Sequence, residues 1–357
     1  MKKKVLHIVE SFGSGVFSFL VDLVNGTYED FEIIIAYGVR DETLKNFRDY
    51  FPNKVRFVKV ENFTREINLQ KDIKALLEIK KILREEKPDI VHLHSSKAGA
   101  LGRLAYTGKK IKMFYNPHGF SFLKQDDSKI KRKIYWLIEK IISLFNKKCT
   151  IIGCSNGEYK EARKINRNSV CINNGIDIAK LDRETANFKE KKINFDNLKI
   201  CTVGRIGYQK NPEMFNKIAE KFPDFKFTWI GDGELRNQLS SSNIFITGWQ
   251  TRKNVLEILN EQDIFILCSL WEGLPISLLE AMYLKKICIV SDCIGNRDVI
   301  IDQKNGFLSK SLDEYIYVID KISNQEIRYM NTYEYVKANF SINEMINKYV
   351  KEYIKGD

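Results

Sequence analysis

The stretch that decides the fold runs from residue 264 to residue 282 and reads IFILCSLWEGLPISLLEAM. Its first part is a short, continuous apolar run, which is typical of a strand buried on both faces of a parallel sheet. Gly273 and Pro275 follow this run, and a proline is favoured in the first turn of a helix. The apolar spacing of the last part predicts that helix. The stretch therefore predicts a strand–turn–helix unit of an α/β fold.

The same alternation extends along both sides of this stretch. Strands are predicted at residues 5–9, 32–36, 55–58, 90–93, 112–115, 150–154, 199–203, 226–230, 244–247, 264–267 and 287–290. Helices are predicted at residues 17–25, 70–85, 98–107, 129–146, 214–221, 255–260, 275–283 and 343–354. Alternation of this kind indicates parallel sheets covered by helices on both faces, with ligands at the carboxyl ends of the strands.

The length of 357 residues suits two domains rather than one core. Residues 183–198, RETANFKEKKINFDNL, are polar without apolar periodicity, so the linker is placed there. The predicted first domain covers residues 1–182 and the second covers residues 199–340. Residues 341–357 are predicted to form a terminal helix that packs back toward the first domain. The fold class is thus α/β, with two Rossmann-like doubly wound domains facing each other.

The net charge of +12 lies in the first half of the chain. Residues 1–185 carry 35 Lys and Arg against 23 Asp and Glu, whereas residues 186–357 carry 23 of each. A basic half attracts nucleic acid, anionic lipid or a phosphorylated acceptor. The seven cysteines form no CxxC pair, which fits a reducing compartment. With no signal-like start and no 18-residue apolar stretch, we expect a cytoplasmic protein, at most peripheral on the inner face of the cell membrane.

Two glutamates flank the Gly-Leu-Pro turn, Glu272 before it and Glu280 eight positions later. Free N–H groups at the helix start are suited to an anion such as a diphosphate. Here the sequence resembles family 4 of the nucleotide-sugar glycosyltransferases, whose hallmark is two glutamates around a Gly-hydrophobic-Pro turn. The resemblance implies a retaining glycosyltransferase of the GT-B fold. It assigns Glu272 to the donor sugar, Glu280 to the ribose, and Gly273, Leu274 and Pro275 to the donor-binding turn.

The loop after the strand at 199–203 reads GRIGYQKNP and carries Arg205 and Lys210. Guanidinium and ammonium groups five positions apart can both face one diphosphate. The family has such a pair at this point, so the resemblance implies that both stabilise the leaving group. No acidic ligand motif accompanies the loop. The adjacent pair Asp126 and Asp127 reads as a helix entry, so we expect a metal-independent site.

Further candidate residues follow strands of the first domain. His118 lies in a Pro-His-Gly turn, and the resemblance implies that it contacts the donor sugar. Gly13 and Gly15 follow the first strand and resemble the family's glycine loop near the phosphates. Ser95 and Lys97 follow the strand DIVHL, where an acceptor could meet them.

In the second domain, Gly231, Gly233 and Trp249 follow strands at the place where family members hold the nucleobase. His92 lies inside a strand, and we interpret it as a core residue.

The segment 129–148, KIKRKIYWLIEKIISLFNKK, is basic and amphipathic, with Tyr135, Trp136 and Phe145. It fits a helix on anionic lipid and equally an ordinary helix that packs on its own domain.

The resemblance implies a UDP-sugar as co-substrate and no other cofactor, and front-face transfer without a protein nucleophile. It suggests a hexose or N-acetylhexosamine moved to a glycan acceptor carried on polyprenyl diphosphate, in surface-polysaccharide synthesis. Two alternatives stay open: a sugar-nucleotide epimerase of similar fold, and a basic nucleic-acid-binding protein. No recognised motif favours the latter, so we expect no nucleic-acid partner.

Overall fold

The computed structural model describes residues 2–10, 12–40, 43–64, 66–125, 127–189 and 192–355. The chain divides into two compact units. Unit 1 consists of Met1–Asn174 with Asn343–Asp357, and unit 2 consists of Gly175–Ile342. Asp126, half of the Asp pair noted above, lies outside the described residues. No described helix has the length and apolar character needed to cross a membrane.

Unit 1 is built on a parallel sheet in which seven strands are described, in the order β3-β2-β1-β4-β5-β6-β7. The strands are β1 (Lys4–Val9), β2 (Glu32–Tyr37), β3 (Arg56–Lys59), β4 (Ile90–His94), β5 (Lys112–Asn116), β6 (Thr150–Gly153) and β7 (Ser169–Cys171). The helices are α1 (Ser14–Thr27), α2 (Leu69–Glu86), α3 (Ser96–Ala105), α4 (Lys129–Phe145) and α5 (Asn156–Ile165). The strand order reverses between β1 and β4, which is where doubly wound sheets bind ligands.

Unit 2 repeats this plan with a parallel sheet of six described strands, in the order β10-β9-β8-β11-β12-β13. The strands are β8 (Lys199–Val203), β9 (Lys226–Ile230), β10 (Ile244–Ile246), β11 (Ile264–Leu267), β12 (Ile287–Ser291) and β13 (Phe307–Ser309). The helices are α6 (Ile178–Glu184), α7 (Pro212–Lys221), α8 (Arg252–Asn260), α9 (Ile276–Tyr283), α10 (Asn296–Val299), α11 (Leu312–Ser323) and α12 (Tyr333–Asn339). The reversal here lies between β8 and β11.

Each unit has its own apolar core between its sheet and its helices. Two parallel α/β units confirm the predicted fold class. The sequence analysis missed the edge strands β7 and β13, each of which is three residues long. It also missed helices α5, α6, α10, α11 and α12.

The first unit ends at Asn174 and not at residue 182, because α6 packs with unit 2. Asp182 of α6 accepts a hydrogen bond from the Tyr283 hydroxyl at 2.6 Å, and that tyrosine ends α9. The last helix, α13 (Ile342–Ile354), belongs with unit 1 from Asn343 onward. Its Tyr349 and Tyr353 are fully buried against unit 1.

Candidate functional site

The loops after β8 and β11 meet at the point where the sheet of unit 2 reverses its order. The Lys210 ammonium donates to Glu272 Oε1 at 2.6 Å, and both side chains are largely buried. Gln209 joins the two loops by two hydrogen bonds. Its side-chain amide donates to the Trp271 carbonyl at 2.8 Å, and its backbone carbonyl accepts from the Leu270 N–H at 2.8 Å. A residue predicted to bind the donor diphosphate is thus in direct contact with one predicted to bind the donor sugar.

Glu280 lies in α9, one turn into the helix that follows the Gly-Leu-Pro turn, and it is buried. Its carboxylate binds Arg252 Nη1 at 2.7 Å. Burial raises the pKa of Glu280, and the neighbouring Arg252 opposes that rise. Pro275 is the N-cap of α9, and no side chain caps this helix start. Leu274 is buried, so its side chain packs in the unit and any contact with a donor falls to its backbone.

Arg205 follows β8 in the same loop as Lys210 and remains partly exposed. Its Nε donates to Glu234 Oε2 at 2.8 Å. Glu234 belongs to the loop after β9, so this contact joins a third strand end to the site. The sequence analysis did not single out Glu234.

Gly231 and Gly233 are required by the close packing of these loops. Gly231 has a φ of 140°, a backbone conformation that residues with a side chain rarely adopt. A Cβ at this position would also clash with the carbonyl of Gly204. A Cβ at Gly233 would clash with the carbonyl of Ile206. Trp249, after β10, is 57% exposed and so leaves its ring open to a ligand.

The remaining candidates belong to unit 1 and follow β1, β4 and β5. Gly13 has extended backbone as the N-cap of α1, and a Cβ at Gly15 would meet no atom of the described residues within 4 Å. The space in front of Gly15 is therefore open. Ser95 precedes α3 with a φ of 71°. A non-glycine residue in this region signals local strain, which is often found at ligand sites.

Lys97 has several partners within its own unit. Its ammonium lies 2.8 Å from Asp72 Oδ1 and 3.0 Å from Thr64 Oγ1, and it also donates to the Glu66 carbonyl. The side chain thus fastens the loop before α2. A glycan acceptor would have to compete with these hydrogen bonds for the Lys97 ammonium. The contact between Lys97 and the glycan acceptor stays a prediction.

His118 ends a row of hydrogen-bonded imidazoles. Its Nε2 lies 3.2 Å from His94 Nδ1, and His94 Nε2 lies 3.0 Å from His7 Nδ1. Burial lowers the pKa of His118 to about 3. His118 has a φ of 53° and packs against Phe19, whose ring centroid is 4.7 Å away.

His92 is fully buried inside β4, which confirms its interpretation as a core residue. Its Nε2 lies 2.6 Å from Asn116 Oδ1, and its Nδ1 lies 2.6 Å from the Tyr353 hydroxyl of α13. Burial lowers the pKa of His92 to about 4.

Two family profiles together cover most of the chain. The profile described as Glycosyltransferase Family 4 matches residues 14–180, and Glycosyl transferases group 1 matches residues 183–339. An Escherichia coli relative, the UDP-Gal:alpha-D-GlcNAc-diphosphoundecaprenol alpha-1,3-galactosyltransferase, is 33% identical over an alignment of 307 residues that covers 78% of each chain. The chain belongs to the family 4 glycosyltransferases.

Solved structures agree with this family at the level of the fold. Sucrose-phosphate synthase from Thermosynechococcus elongatus superposes with a TM-score of 0.81 at 14% identity, over 98% of both chains. Anabaena Alr3699/HepE, solved with UDP-glucose, has a TM-score of 0.73 at 16% identity, also over 98% of both chains.

In this family 4 glycosyltransferase the structure brings Arg205, Lys210 and Glu272 to adjoining loops, while Glu280 is held by Arg252. The sequence analysis missed Arg252, because its pairing with Glu280 is a contact between two helices that no local pattern indicates. A cavity of about 690 Å³ lies elsewhere, at the amino ends of β1 and β2, and contains none of the predicted residues.

Proposed function

We propose that this family 4 glycosyltransferase transfers a hexose or N-acetylhexosamine from a UDP-sugar to a glycan on polyprenyl diphosphate. The transfer retains the anomeric configuration and needs no metal ion. The observation that carries this proposal is the contact between Lys210 and Glu272 at the reversal point of the unit 2 sheet. The E. coli relative, named for UDP-Gal and a diphosphoundecaprenol acceptor, supports the donor and acceptor classes.

The diphosphate of the donor meets two cations on one loop. Arg205 and Lys210 are each held by a carboxylate, at 2.8 Å and 2.6 Å, which orients them before a ligand arrives. Preorganised charges stabilise a leaving group without reorganisation during the reaction. These two cations supply the positive charge that a divalent ion supplies in metal-dependent sites, so no ion is required.

The two glutamates divide the remaining contacts of the donor. Glu272, next to Lys210, accepts hydrogen bonds from hydroxyls of the donor sugar, which places the anomeric carbon beside the cations. Glu280 accepts from the ribose hydroxyls, and its ion pair with Arg252 at 2.7 Å favours the charged form of the buried carboxylate. The acceptor hydroxyl then attacks from the side of the departing nucleotide, whose phosphate takes the proton.

A donor and acceptor screen tests this function. The protein is incubated with UDP-linked hexoses and N-acetylhexosamines, with and without a monosaccharide on polyprenyl diphosphate. We expect transfer only with the lipid-linked acceptor, and an α-linkage by NMR when the donor is α-linked. Conversion of the donor sugar without any acceptor would favour the epimerase, and a β-linked product would contradict retention.

We further propose that α4 docks this enzyme on the anionic bilayer that holds such an acceptor. One face of α4 is apolar and open to solvent. Its residues are between 41% and 74% exposed; they are Ile130, Ile134, Leu137, Ile138, Ile141, Leu144 and Phe145. Tyr135 and Trp136, expected to help docking, instead pack against the core of unit 1, whereas Phe145 is exposed as expected.

A buried polar network fixes this orientation of the helix. Glu139, on the opposite face of α4, binds Arg103 of α3 at 2.6 Å and accepts from the Tyr115 hydroxyl at 2.9 Å. The Arg103 guanidinium also lies over the Tyr115 ring at 4.4 Å. Rotating α4 to cover its apolar face would break this network, at about 3–5 kcal/mol for an unpaired buried charge. The apolar face therefore stays outward.

Charge complementarity selects an anionic bilayer as the occupant. Unit 1 contains 36 Lys and Arg against 23 Asp and Glu. Exposed Lys129, Lys133, Lys147 and Lys148 lie in or just after α4. A lysine near an anionic surface contributes about 1 kcal/mol, and insertion of apolar side chains adds to that.

Co-sedimentation with phosphatidylglycerol vesicles tests docking with two variants. Replacing Ile134, Leu137 and Ile141 by Ser removes apolar area and should weaken binding more than 30-fold, at about 1 kcal/mol per half-inserted side chain. Lys129→Glu with Lys133→Glu should weaken binding mainly at low salt.

Two exposed lysines of unit 2 provide the matched control, because Lys226→Glu with Lys253→Glu makes the same charge change in the other unit. This control should bind vesicles like the wild type. Lys131 and Arg132 are less suitable targets, since Lys131 pairs with Asp127 and Arg132 donates to the Phe122 carbonyl at 3.0 Å. If the variant with Ser at positions 134, 137 and 141 binds vesicles as tightly as the wild type, insertion of α4 is refuted.

A further inference from the structure

The four histidines of the sequence lie together in unit 1. His7 is on β1, His92 and His94 are on β4, and His118 follows β5. These three strands are neighbours in the sheet, so side chains from all of them meet. His7, His92 and His94 are fully buried, whereas His118 retains some exposure.

Three of the four rings form a single row of hydrogen bonds. His7 Nδ1 lies 3.0 Å from His94 Nε2, and His94 Nδ1 lies 3.2 Å from His118 Nε2. His92 stands outside this row, because the Asn116 oxygen and the Tyr353 hydroxyl occupy its two nitrogens. The Asn116 amide nitrogen donates to Tyr349 at 2.8 Å, so its oxygen faces His92 and requires the Nε2–H form there.

The rings of the row are neutral. Burial lowers the pKa of His7 and His94 well below the usual value, with neighbouring histidines adding to the effect. A neutral imidazole has one N–H donor and one acceptor nitrogen. The row therefore has two arrangements, in which all three rings carry the proton on Nδ1 or all three carry it on Nε2.

The far end of the row decides between these arrangements. His7 Nε2 is buried and has no hydrogen-bond partner among the residues that the structure describes. With the protons on Nδ1, this nitrogen is an unpaired acceptor. With the protons on Nε2, it is an unpaired buried N–H, and such orphan donors are rarer in proteins than orphan acceptors. The Nδ1–H arrangement is favoured, and it gives His118 an Nδ1–H.

We propose that His7 and His94 are positioning residues that hold His118 as the Nδ1–H tautomer, so that it donates a hydrogen bond to an oxygen of the donor sugar. This inference rests on the proposed function, in which His118 contacts that sugar. The tautomer of a histidine is set by the bond that its other nitrogen makes. For His118 that bond comes from His94, which is in turn oriented by His7.

Long-range ¹H–¹⁵N spectra of the histidine-labelled full chain read the tautomers directly. Four histidines give four spin systems, assigned by single substitutions. In the absence of a nucleotide-sugar, we expect the Nδ1–H tautomer for His7, His94 and His118 and the Nε2–H tautomer for His92. His118 as Nε2–H in the wild type would overturn the proposal. So would one equivalent of Zn²⁺ that abolishes these N–H signals, because the cluster would then be a metal site.

An isosteric pair of variants tests the direction of the row. His7→Asn keeps an amide donor near the position of Nδ1, and His118 should stay Nδ1–H with an unchanged donor KM. His7→Asp offers only acceptors when ionised, so His94 and His118 should switch to Nε2–H. Loss of one hydrogen bond to the sugar should then raise the donor KM about tenfold, with little change in kcat.

The outcomes separate this inference from the proposed function. A switched tautomer with an unchanged donor KM would overturn the role of the row in sugar binding. If His7→Asp fails to fold, the wild type and His7→Asn still decide through their tautomers. Absence of glycosyl transfer by the wild type would contradict the proposed function, whereas the tautomers of the free protein do not depend on it.

Discussion

Acidification should destabilise unit 1 before the carboxylates titrate. Burial lowers the pKa of all four histidines, to about 4 for His92 and about 3 for His118. In the unfolded chain these rings titrate near pH 6.5. Because the unfolded state binds more protons below that pH, the stability present above pH 6.5 is lost as the pH falls toward the folded pKa values.

The loss in the free energy of unfolding follows from the number of histidine rings. At pH 5.5 each unfolded histidine is about 90% protonated, whereas the folded rings are neutral. Between pH 7.5 and pH 5.5 each ring therefore removes about 1.4 kcal/mol from the free energy of unfolding. Four rings remove about 5 kcal/mol, which is a large part of the roughly 5–15 kcal/mol that a domain has.

Urea unfolding at the two pH values measures this loss. Pulsed hydrogen exchange of peptides from β1 and β4 reports unit 1 alone. With a slope of about 2 kcal/mol per molar urea, the midpoint should fall by about 2.5 M. His92→Gln, which keeps a donor toward Asn116 but does not titrate, should reduce the shift by about a quarter. A midpoint that moves by less than about 0.5 M would refute the neutral buried cluster.

Three further predictions concern the proposed donor site of unit 2. Lys210→Ala should lower kcat/KM about 30- to 1000-fold, from about 2–4 kcal/mol of lost charge stabilisation, and should also destabilise unit 2 by leaving the Glu272 carboxylate unpaired. Adding Glu272→Gln to Lys210→Ala should restore the melting temperature but not the turnover. Lys217→Ala, at an exposed lysine on α7, serves as the control. Wild-type turnover of the Lys210→Ala variant would contradict the assignment. Arg205→Ala should cost a similar factor in kcat/KM with little change in melting temperature, since its pair with Glu234 is partly exposed, and an unchanged kcat/KM would remove it from the site. Activity should survive EDTA, and a loss restored by a divalent ion would show that the cations of the loop are insufficient.

The sequence by itself determined the two α/β units and predicted which loops form the donor site. Buried strands and amphipathic helices leave periodic patterns in the sequence. The WEGLP turn and the loop of Arg205 and Lys210 are each a continuous stretch of sequence, so each can be recognised as a motif. Parallel strands bring their carboxyl ends to one edge, so residues just after strands were expected to lie together. The contact between Lys210 and Glu272, 62 positions apart, agrees with that expectation.

The tertiary structure alone decided which side chains pair across the chain. His7 meets His94 across 87 positions, and His92 meets Tyr353 across 261. Neither pairing has a local signal, because it depends on which strands adjoin and where α13 returns. The outward apolar face of α4 has the same origin. An amphipathic pattern states that a helix has two faces, but the Glu139–Arg103 pair decides which of them is buried.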